Sequence, residues 1–392
     1  MSIKHGAGIV TDGLNFAFDA YTYSGDARFR KSWKGQPTVN EFGGATDFGQ
    51  WTRESASVDV IDSGTYFQGE KVYKCKTQDG SLWISFNYIA TGFRTNVGTT
   101  NAVMSAWVKN PNDSSIALSA YIGHDFSGTK TIAANSDWQQ IYWSVPVANM
   151  NDDYCEFRPY GNTPRKWLWM TMPQLEGSNS NYATPFTRTQ RTTQTALIDW
   201  AGGNTITLNG MQYNTDGTFQ LTGATSDYIS IANSALSTQA SSGIWTIDIW
   251  MKRTAAQATI DTFLSCGSGN NFLWYFRNNG TNLQFENTAA TSLSAFTVTN
   301  NEWFNFTATG SGGSISVYKN GSYVGAMTNA TTFTITSTIG IVMGQEFDST
   351  GGSFDAAQSW KGFYGETKFY TRALSATEVS QNFNATRTRY GV

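Results

Sequence analysis

The chain of 392 residues carries 26 Lys and Arg against 29 Asp and Glu, and its formal net charge of −3 comes with only 14% charged residues, well below the rough quarter usual in soluble domains. The cations are scattered singly, so no basic stripe is present to neutralise a phosphate backbone, and nucleic acid is not an expected ligand. With 38 Gly, 25 Phe, 18 Tyr and 14 Trp, the composition favours strands and tight turns over helices, and the length exceeds what one hydrophobic core serves.

Met1 to Val10 holds no long apolar run and reads as neither a signal peptide nor a membrane anchor; membrane insertion is not expected. Alternation of apolar and polar residues then marks half-buried strands at Leu14-Asn15-Phe16-Ala17-Phe18, at Val103 to Val108, and at Ile244 to Trp250. Asn110-Pro111-Asn112-Asp113 and Gly310-Ser311-Gly312-Gly313 supply turn chemistry between such segments. Lys319-Asn320-Gly321-Ser322, flanked by Ile315 to Tyr318 and Tyr323 to Gly325, predicts a hairpin with a type I′ turn, because Asn-Gly tolerates positive φ. Ser375 and Glu378 form a capping box ahead of Val379 and Phe383, which predicts a short helix within Ala373 to Thr386.

A faint echo links the two halves. Ser105-Ala106-Trp107-Val108-Lys109 parallels Asp248-Ile249-Trp250-Met251-Lys252, and Asp137-Trp138-Gln139-Gln140-Ile141 parallels Asn301-Glu302-Trp303-Phe304-Asn305. The spacing between the paired tryptophans differs, so the echo is one of architecture, not of repeated sequence. An all-β chain of two antiparallel jelly-roll β-sandwiches with a short C-terminal helix follows.

From Thr195 onward the chain resembles the laminin-G-like, concanavalin A-like domains of bacteriophage structural proteins. The resemblance rests on Gly223-Ala224-Thr225-Ser226-Asp227-Tyr228-Ile229, on Val317-Tyr318-Lys319-Asn320-Gly321, and on the closing Gly365-Glu366-Thr367-Lys368-Phe369-Tyr370-Thr371-Arg372-Ala373-Leu374-Ser375. Gly8 to Ala20 is similar to the strand that opens the same domain, ahead of a stretch matched here by Ile198-Asp199-Trp200-Ala201-Gly202-Gly203-Asn204. The resemblance therefore implies a discontinuous domain, 1–28 plus 191–392, with a second sandwich, 29–190, inserted. The inserted part resembles carbohydrate-binding-module-like sandwiches and ends in Gln174-Leu175-Glu176 and Ala183-Thr184-Pro185-Phe186, a pattern of phage tail and fibre proteins. The alternating Leu14, Phe16 and Phe18 need a partner sheet, which either domain is able to supply.

Candidate chemistry is sparse. Glu346 and Asp348 sit two apart, so on a strand both carboxylates project from one face. Concanavalin A-like glycosidases use such a spacing in a longer run, but Gly351 stands where their last Glu would be. The alternative to a solvated loop pair is thus a polysaccharide hydrolase or lyase. His5 and His124 are the two histidines, and neither has a nucleophile motif beside it; no catalytic residue is assigned. Asn151-Asp152-Asp153 and Asp227 offer hard oxygen ligands to a structural calcium, although turn geometry accounts for them as well; no metal site and no other cofactor are assigned. Cys75, Cys155 and Cys266 read as buried free thiols, with Cys75–Cys155 the one pair worth considering as a disulfide. Trp107, Trp250 and Trp303 read as packing residues, whereas Trp360, in a loop-like stretch, reads as exposed; no binding residue is selected among the aromatics.

The leading expectation is a non-enzymatic bacteriophage virion protein, assembled in the host cytoplasm and exposed on the particle as a tail fibre, receptor-binding, head-fibre or decoration component. Its expected partners are other virion proteins, copies of itself and host-surface glycans. Neither heptads nor a triple β-helix is present, so a homo-oligomer would form through globular surfaces or a partner.

Overall fold

A computed structural model describes residues 8–20, 32–42, 48, 51–54, 60–77, 85–96, 99–160, 165–178, 181–214, 218–232, 242–257, 260–267, 272–280, 282–287, 290–294, 296–328, 331–332, 340–347 and 354–392. His5, Asp348 and Gly351 lie outside these residues. The chain divides into two compact units, Met1–Gln36 with Thr192–Val392, and Pro37–Arg191. Both are antiparallel β-sandwiches.

In the first unit a six-stranded sheet runs through Leu14–Asp19, Gly362–Tyr370, Trp245–Arg253, Trp303–Ser311, Ser314–Lys319 and Ser322–Thr328. A seven-stranded sheet faces it, and the layer between them is filled by Phe16, Phe18, Trp245, Phe276, Phe306 and Trp360. The partner of the opening strand is now fixed: Phe18 lies opposite Thr367 and Asp19 opposite Glu366. Asp199 seals the arrangement, since its carboxylate accepts from the backbone of Ala17, Ala201, Gly202 and Asn204 at 2.9–3.1 Å. The predicted hairpin forms with φ of 51° at Asn320 and 74° at Gly321, the positive pair a type I′ turn requires.

The strand at Trp245–Arg253 departs from the half-buried expectation, being buried on both faces over most of its length. The cause is the C-terminal helix, Ala376–Tyr390, which covers the sheet's outer side: Trp250 stacks on Tyr390 at 4.1 Å and on Phe383 at 5.7 Å between ring centroids. Ser375 and Glu378 make the capping box, and Gly391 at φ 72° ends the helix. The helix outruns the predicted Thr386 because two residues beyond it have partners on the sheet; Arg389 pairs with Asp19, and the Tyr390 hydroxyl accepts from the Glu366 N–H at 2.7 Å. Gly365 permits that approach, since a Cβ there would lie 2.4 Å from the Tyr390 Oη.

A fully buried ammonium lies beneath this helix. Lys368 Nζ is 2.6 Å from Glu366 Oε2 and 3.5 Å from Asp248 Oδ2, and Asp248 also accepts from Asn305 at 2.6 Å and Asn382 at 2.9 Å. Burial alone would depress the Lys368 pKa, yet the two carboxylates hold it above the ordinary lysine value. Asn382 further accepts from the Val10 N–H at 2.8 Å, tying the opening segment to the helix.

In the second unit one sheet contains Ser136–Pro146, Asn101–Asn110, Trp167–Ser178, Glu70–Lys76 and Val60–Phe67, and the other contains Thr52–Glu54, Ser85–Ile89, Tyr154–Tyr160, Ile116–Ile122 and Asp125–Ile132. Met104, Val108, Trp143, Phe157, Leu168 and Met170 fill the space between them. Cys75, Cys155 and Cys266 are buried free thiols. Burial pushes the Cys155 thiol up to about 12, so it stays protonated and unreactive at neutral pH.

Replacing Lys368 by Met leaves Asp248 and Glu366 buried without their cation and is expected to cost about 3–5 kcal/mol in urea unfolding. A loss below about 1 kcal/mol would contradict this account of the cluster.

Candidate functional site

The residues with candidate chemistry are mostly committed to structure. Glu346 is not on a strand: it follows Ile341–Met343 in an irregular stretch that opens with Gly344 at φ 98°. The strand assumed for the Glu346 and Asp348 pair is thus absent at Glu346, and Asp348 lies outside the described residues. Glu346 is 4% exposed, and its carboxylate accepts from Thr262 Oγ1 at 2.7 Å and pairs with Arg277 at 3.2 Å.

His124 stands in the turn between Ile116–Ile122 and Asp125–Ile132 at φ 57°, where its ring stacks on Tyr154 at 4.2 Å and bonds Asp152. The loop carboxylates named for calcium are occupied by donors. Asp153 accepts from the N–H groups of Gly92 and Arg94 at 2.7 and 2.8 Å, Asp152 from that of Tyr154 at 2.8 Å, and Asp227 from that of Thr222 at 2.8 Å. Among the described residues no group of three or more His, Cys, Asp or Glu is arranged to hold a metal.

Trp360, expected to be exposed, is completely buried, with its ring 6.1 Å from Phe263 and 6.2 Å from Tyr364. Its polar neighbours misled, because Ser359 turns inward to donate to Gln345 at 2.6 Å. Trp250 does pack, and half-buried Trp303 packs beside it against Tyr390 at 4.8 Å, whereas Trp107 is half-buried.

The Gln174-Leu175-Glu176 and Ala183-Thr184-Pro185-Phe186 motifs form a buried network. Glu176 accepts from Thr184 N and Oγ1 at 2.8 and 2.6 Å, from Gln174 at 3.0 Å and from Thr38 Oγ1 at 2.9 Å. Arg191 donates to the Pro185 carbonyl at 2.6 Å; burial lowers its pKa to about 10, against the opposing pull of Glu176. The motif's buried side chains thus fasten the two ends of the second unit.

An open aromatic face remains on the first-described sheet of that unit. In Trp167–Ser178, period-two alternation buries Leu168 and Met170 and turns Trp167 and Trp169 outward. Trp169 lies opposite Lys109 on one neighbouring strand and Lys74 on the other, and Trp167 lies opposite Lys76. The ammonium groups sit over the indoles, Lys74 and Lys109 at 5.5 and 5.9 Å from the Trp169 centroid, and Lys76 at 5.1 Å from that of Trp167. Beside them Phe67 stacks on Trp138 at 4.5 Å and touches Trp107 at 5.3 Å. Asp137 borders the row and pairs with Lys109 at 3.0 Å; the Trp138 N–H and this lysine hold its carboxyl below the ordinary value. Every one of these rings and lysines is half-buried.

The echo between the halves sharpens the contrast. Trp107 and Trp250 occupy similar strands, each paired with the strand that carries the second tryptophan of its echo. In the first unit a helix covers Trp250, whereas Trp107 meets Phe67, from the strand Val60–Phe67, and stays half-buried. Sequence reasoning missed Trp138, Trp167, Trp169, Lys74, Lys76 and Lys109. The available signal was the pair of patterns Trp-x-Trp and Lys-x-Lys, each alternating with core residues.

Residues 221–380 match the family described as the concanavalin A-like lectin/glucanases superfamily (Laminin_G_3). The first unit has that concanavalin A-like sandwich fold. No curated protein matches the chain. Among solved structures, the chain is similar to a botulinum neurotoxin serotype D binding domain (17% identity, half of each chain covered, TM-score 0.37). It is also similar to a botulinum neurotoxin DC binding domain in complex with SialylT (15% identity, half of each chain, TM-score 0.39). A third likeness is to a heptameric SAP-like pentraxin from Limulus polyphemus (23% identity, 35% of this chain and 68% of that one, TM-score 0.29). The match spans half the length of the toxin domains.

Glu176→Gln places an amide donor against the donors of Thr184 and removes the anion facing Arg191, so a loss of about 2–3 kcal/mol is expected for the 37–191 sandwich. Urea unfolding followed by tryptophan fluorescence measures it, and a change within about 0.5 kcal/mol would contradict the structural role of the motif.

Proposed function

We propose that this chain is a non-enzymatic binding protein of a bacteriophage particle, exposed as a fibre, receptor-binding or decoration component, that adheres to host-surface glycans. The observation that carries the reading is the open face of Trp107, Trp138, Trp167 and Trp169 on the second unit. Half-exposed indoles offer flat apolar area with little side-chain entropy to lose, the property that suits stacking on the faces of sugar rings. The superfamily match over 221–380 to lectins and glucanases agrees with a glycan-directed role. The particle assignment rests on the motifs shared with phage structural proteins, and their residues here build the scaffold: Glu366 and Lys368 lie beneath the helix, Arg372 pairs with Glu378 in its first turn, and Glu176 and Thr184 close the inserted sandwich.

A hydrolase or lyase would use Glu346 and Asp348; Asp348 lies outside the described residues, and the Glu346 oxygens are engaged by Arg277 and Thr262, which favours the binding reading. Display in many copies would convert weak single-site contacts into firm adhesion, because each further contact is intramolecular once the first has formed.

Two measurements test this reading. Mass spectrometry of purified particles from the source is expected to detect the chain as a stoichiometric component, and its absence from every particle contradicts the virion role. A multimer of the full chain is expected to bind a glycan array and to lose roughly tenfold or more of that binding when Trp107 and Trp169 are replaced by Ala, as removal of stacked rings predicts. Binding unchanged in the double variant would place the site elsewhere.

A further inference from the structure

We infer that the tryptophan row selects acidic glycans, polysaccharides whose sugar rings carry carboxylates, over neutral ones. This deepens the reading of that face as a glycan site and depends on it. The chain as a whole is acidic, at −3, yet this face carries three ammonium groups, Lys74, Lys76 and Lys109, and among the described residues Asp137 is the carboxylate paired with one of them, Lys109. Asp62, at the sheet edge, faces Lys71 at 3.6 Å instead. Among the described residues no carboxylate lies within ion-pair reach of Lys74.

The placement of these cations is as informative as their number. Register puts Lys109 and Lys74 on either side of Trp169, on adjacent strands, and Trp138 lies in the bulge beside Lys109 on the next strand, so one row runs Trp138, Lys109, Trp169, Lys74 across four strands. At a strand spacing of about 4.8 Å this row spans about 14 Å, room for a few sugar rings. The indole faces hold both ammonium groups over the ring, so less freedom is lost when they engage a ligand. A ring lying along the row would set its apolar face near an indole and its carboxylate beside an ammonium donor, giving charge-assisted hydrogen bonds at the spacing the sheet imposes. Three lysines on an acidic chain are too few to track a phosphate backbone, so the same cations favour an acidic sugar over nucleic acid.

The test measures binding of the full chain to polygalacturonate, polysialic acid, neutral dextran and single-stranded DNA by affinity electrophoresis and calorimetry, for the parent, for a Lys74→Gln/Lys109→Gln variant and for Trp169→Ala. Either acidic polysaccharide is expected to bind at least roughly tenfold more tightly than dextran, with that preference lost in the lysine variant. Binding should weaken by roughly tenfold or more as salt rises from about 0.05 to about 0.5 M. Both lysines are half-exposed, so an unchanged melting profile confirms that the lysine variant remains folded. Equal binding of acidic and neutral polymers, with both lost in Trp169→Ala, would overturn the inference while leaving the glycan reading intact. No binding to any polysaccharide would overturn both, and tighter binding of DNA than of either acidic polysaccharide would overturn the selection proposed here.

Discussion

The first unit depends on one buried cation. Lys368 sits with no exposed side-chain surface between Asp248 and Glu366, on the two strands that the C-terminal helix covers. Placing an ammonium there is unfavourable unless its counter-charges and hydrogen bonds are exact in position, so the cluster dictates which helix residues face inward: Asn382 to Asp248 and to Val10, and Tyr390 to Glu366. That same helix end holds Arg389 against Asp19 on the opening strand. Residues at the two ends of the sequence thereby close one sheet, with Leu14–Asp19 zipped to Gly362–Tyr370.

The helix also explains why two similar tryptophan strands have different fates. Trp250 is fully buried because Phe383 and Tyr390 stack on it and Thr386 accepts its indole N–H at 3.0 Å. Trp107, on the corresponding strand of the other sandwich, meets the Phe67 ring at 5.3 Å and is half-buried. A sandwich that leaves aromatic side chains half-exposed on one sheet, interleaved with lysines held over their rings, has a surface suited to ligand contact rather than to core packing.

Local features were legible in the sequence. The Asn320-Gly321 turn and the Ser375–Glu378 box each depend on two or three neighbouring residues whose backbone chemistry is self-sufficient, and both formed as read. Strand positions followed from period-two alternation, and so did the all-β sandwich fold. What alternation does not convey is what covers the outward face. Trp250 and Trp107 look alike on their strands, and only the distant helix separates them. Trp360 read as exposed beside Gln358 and Ser359, yet Ser359 has a buried partner in Gln345, a contact that no local pattern announces. Glu346 looked reactive because its partner Arg277 lies 69 residues away in sequence.

In the function proposed above, ligand meets the tryptophan and lysine face of residues 37–191, and the buried polar groups around Glu346 serve the scaffold. Hydrogen exchange of the full chain, with and without an acidic oligosaccharide, tests this most directly. Added protection is then expected at Ser136–Pro146, Asn101–Asn110, Glu70–Lys76 and the Trp167–Thr171 part of its strand, with Asp261–Gly267 and Ile341–Met343 unchanged. Protection at Asp261–Gly267 and Ile341–Met343, with the tryptophan strands unaffected, would contradict it.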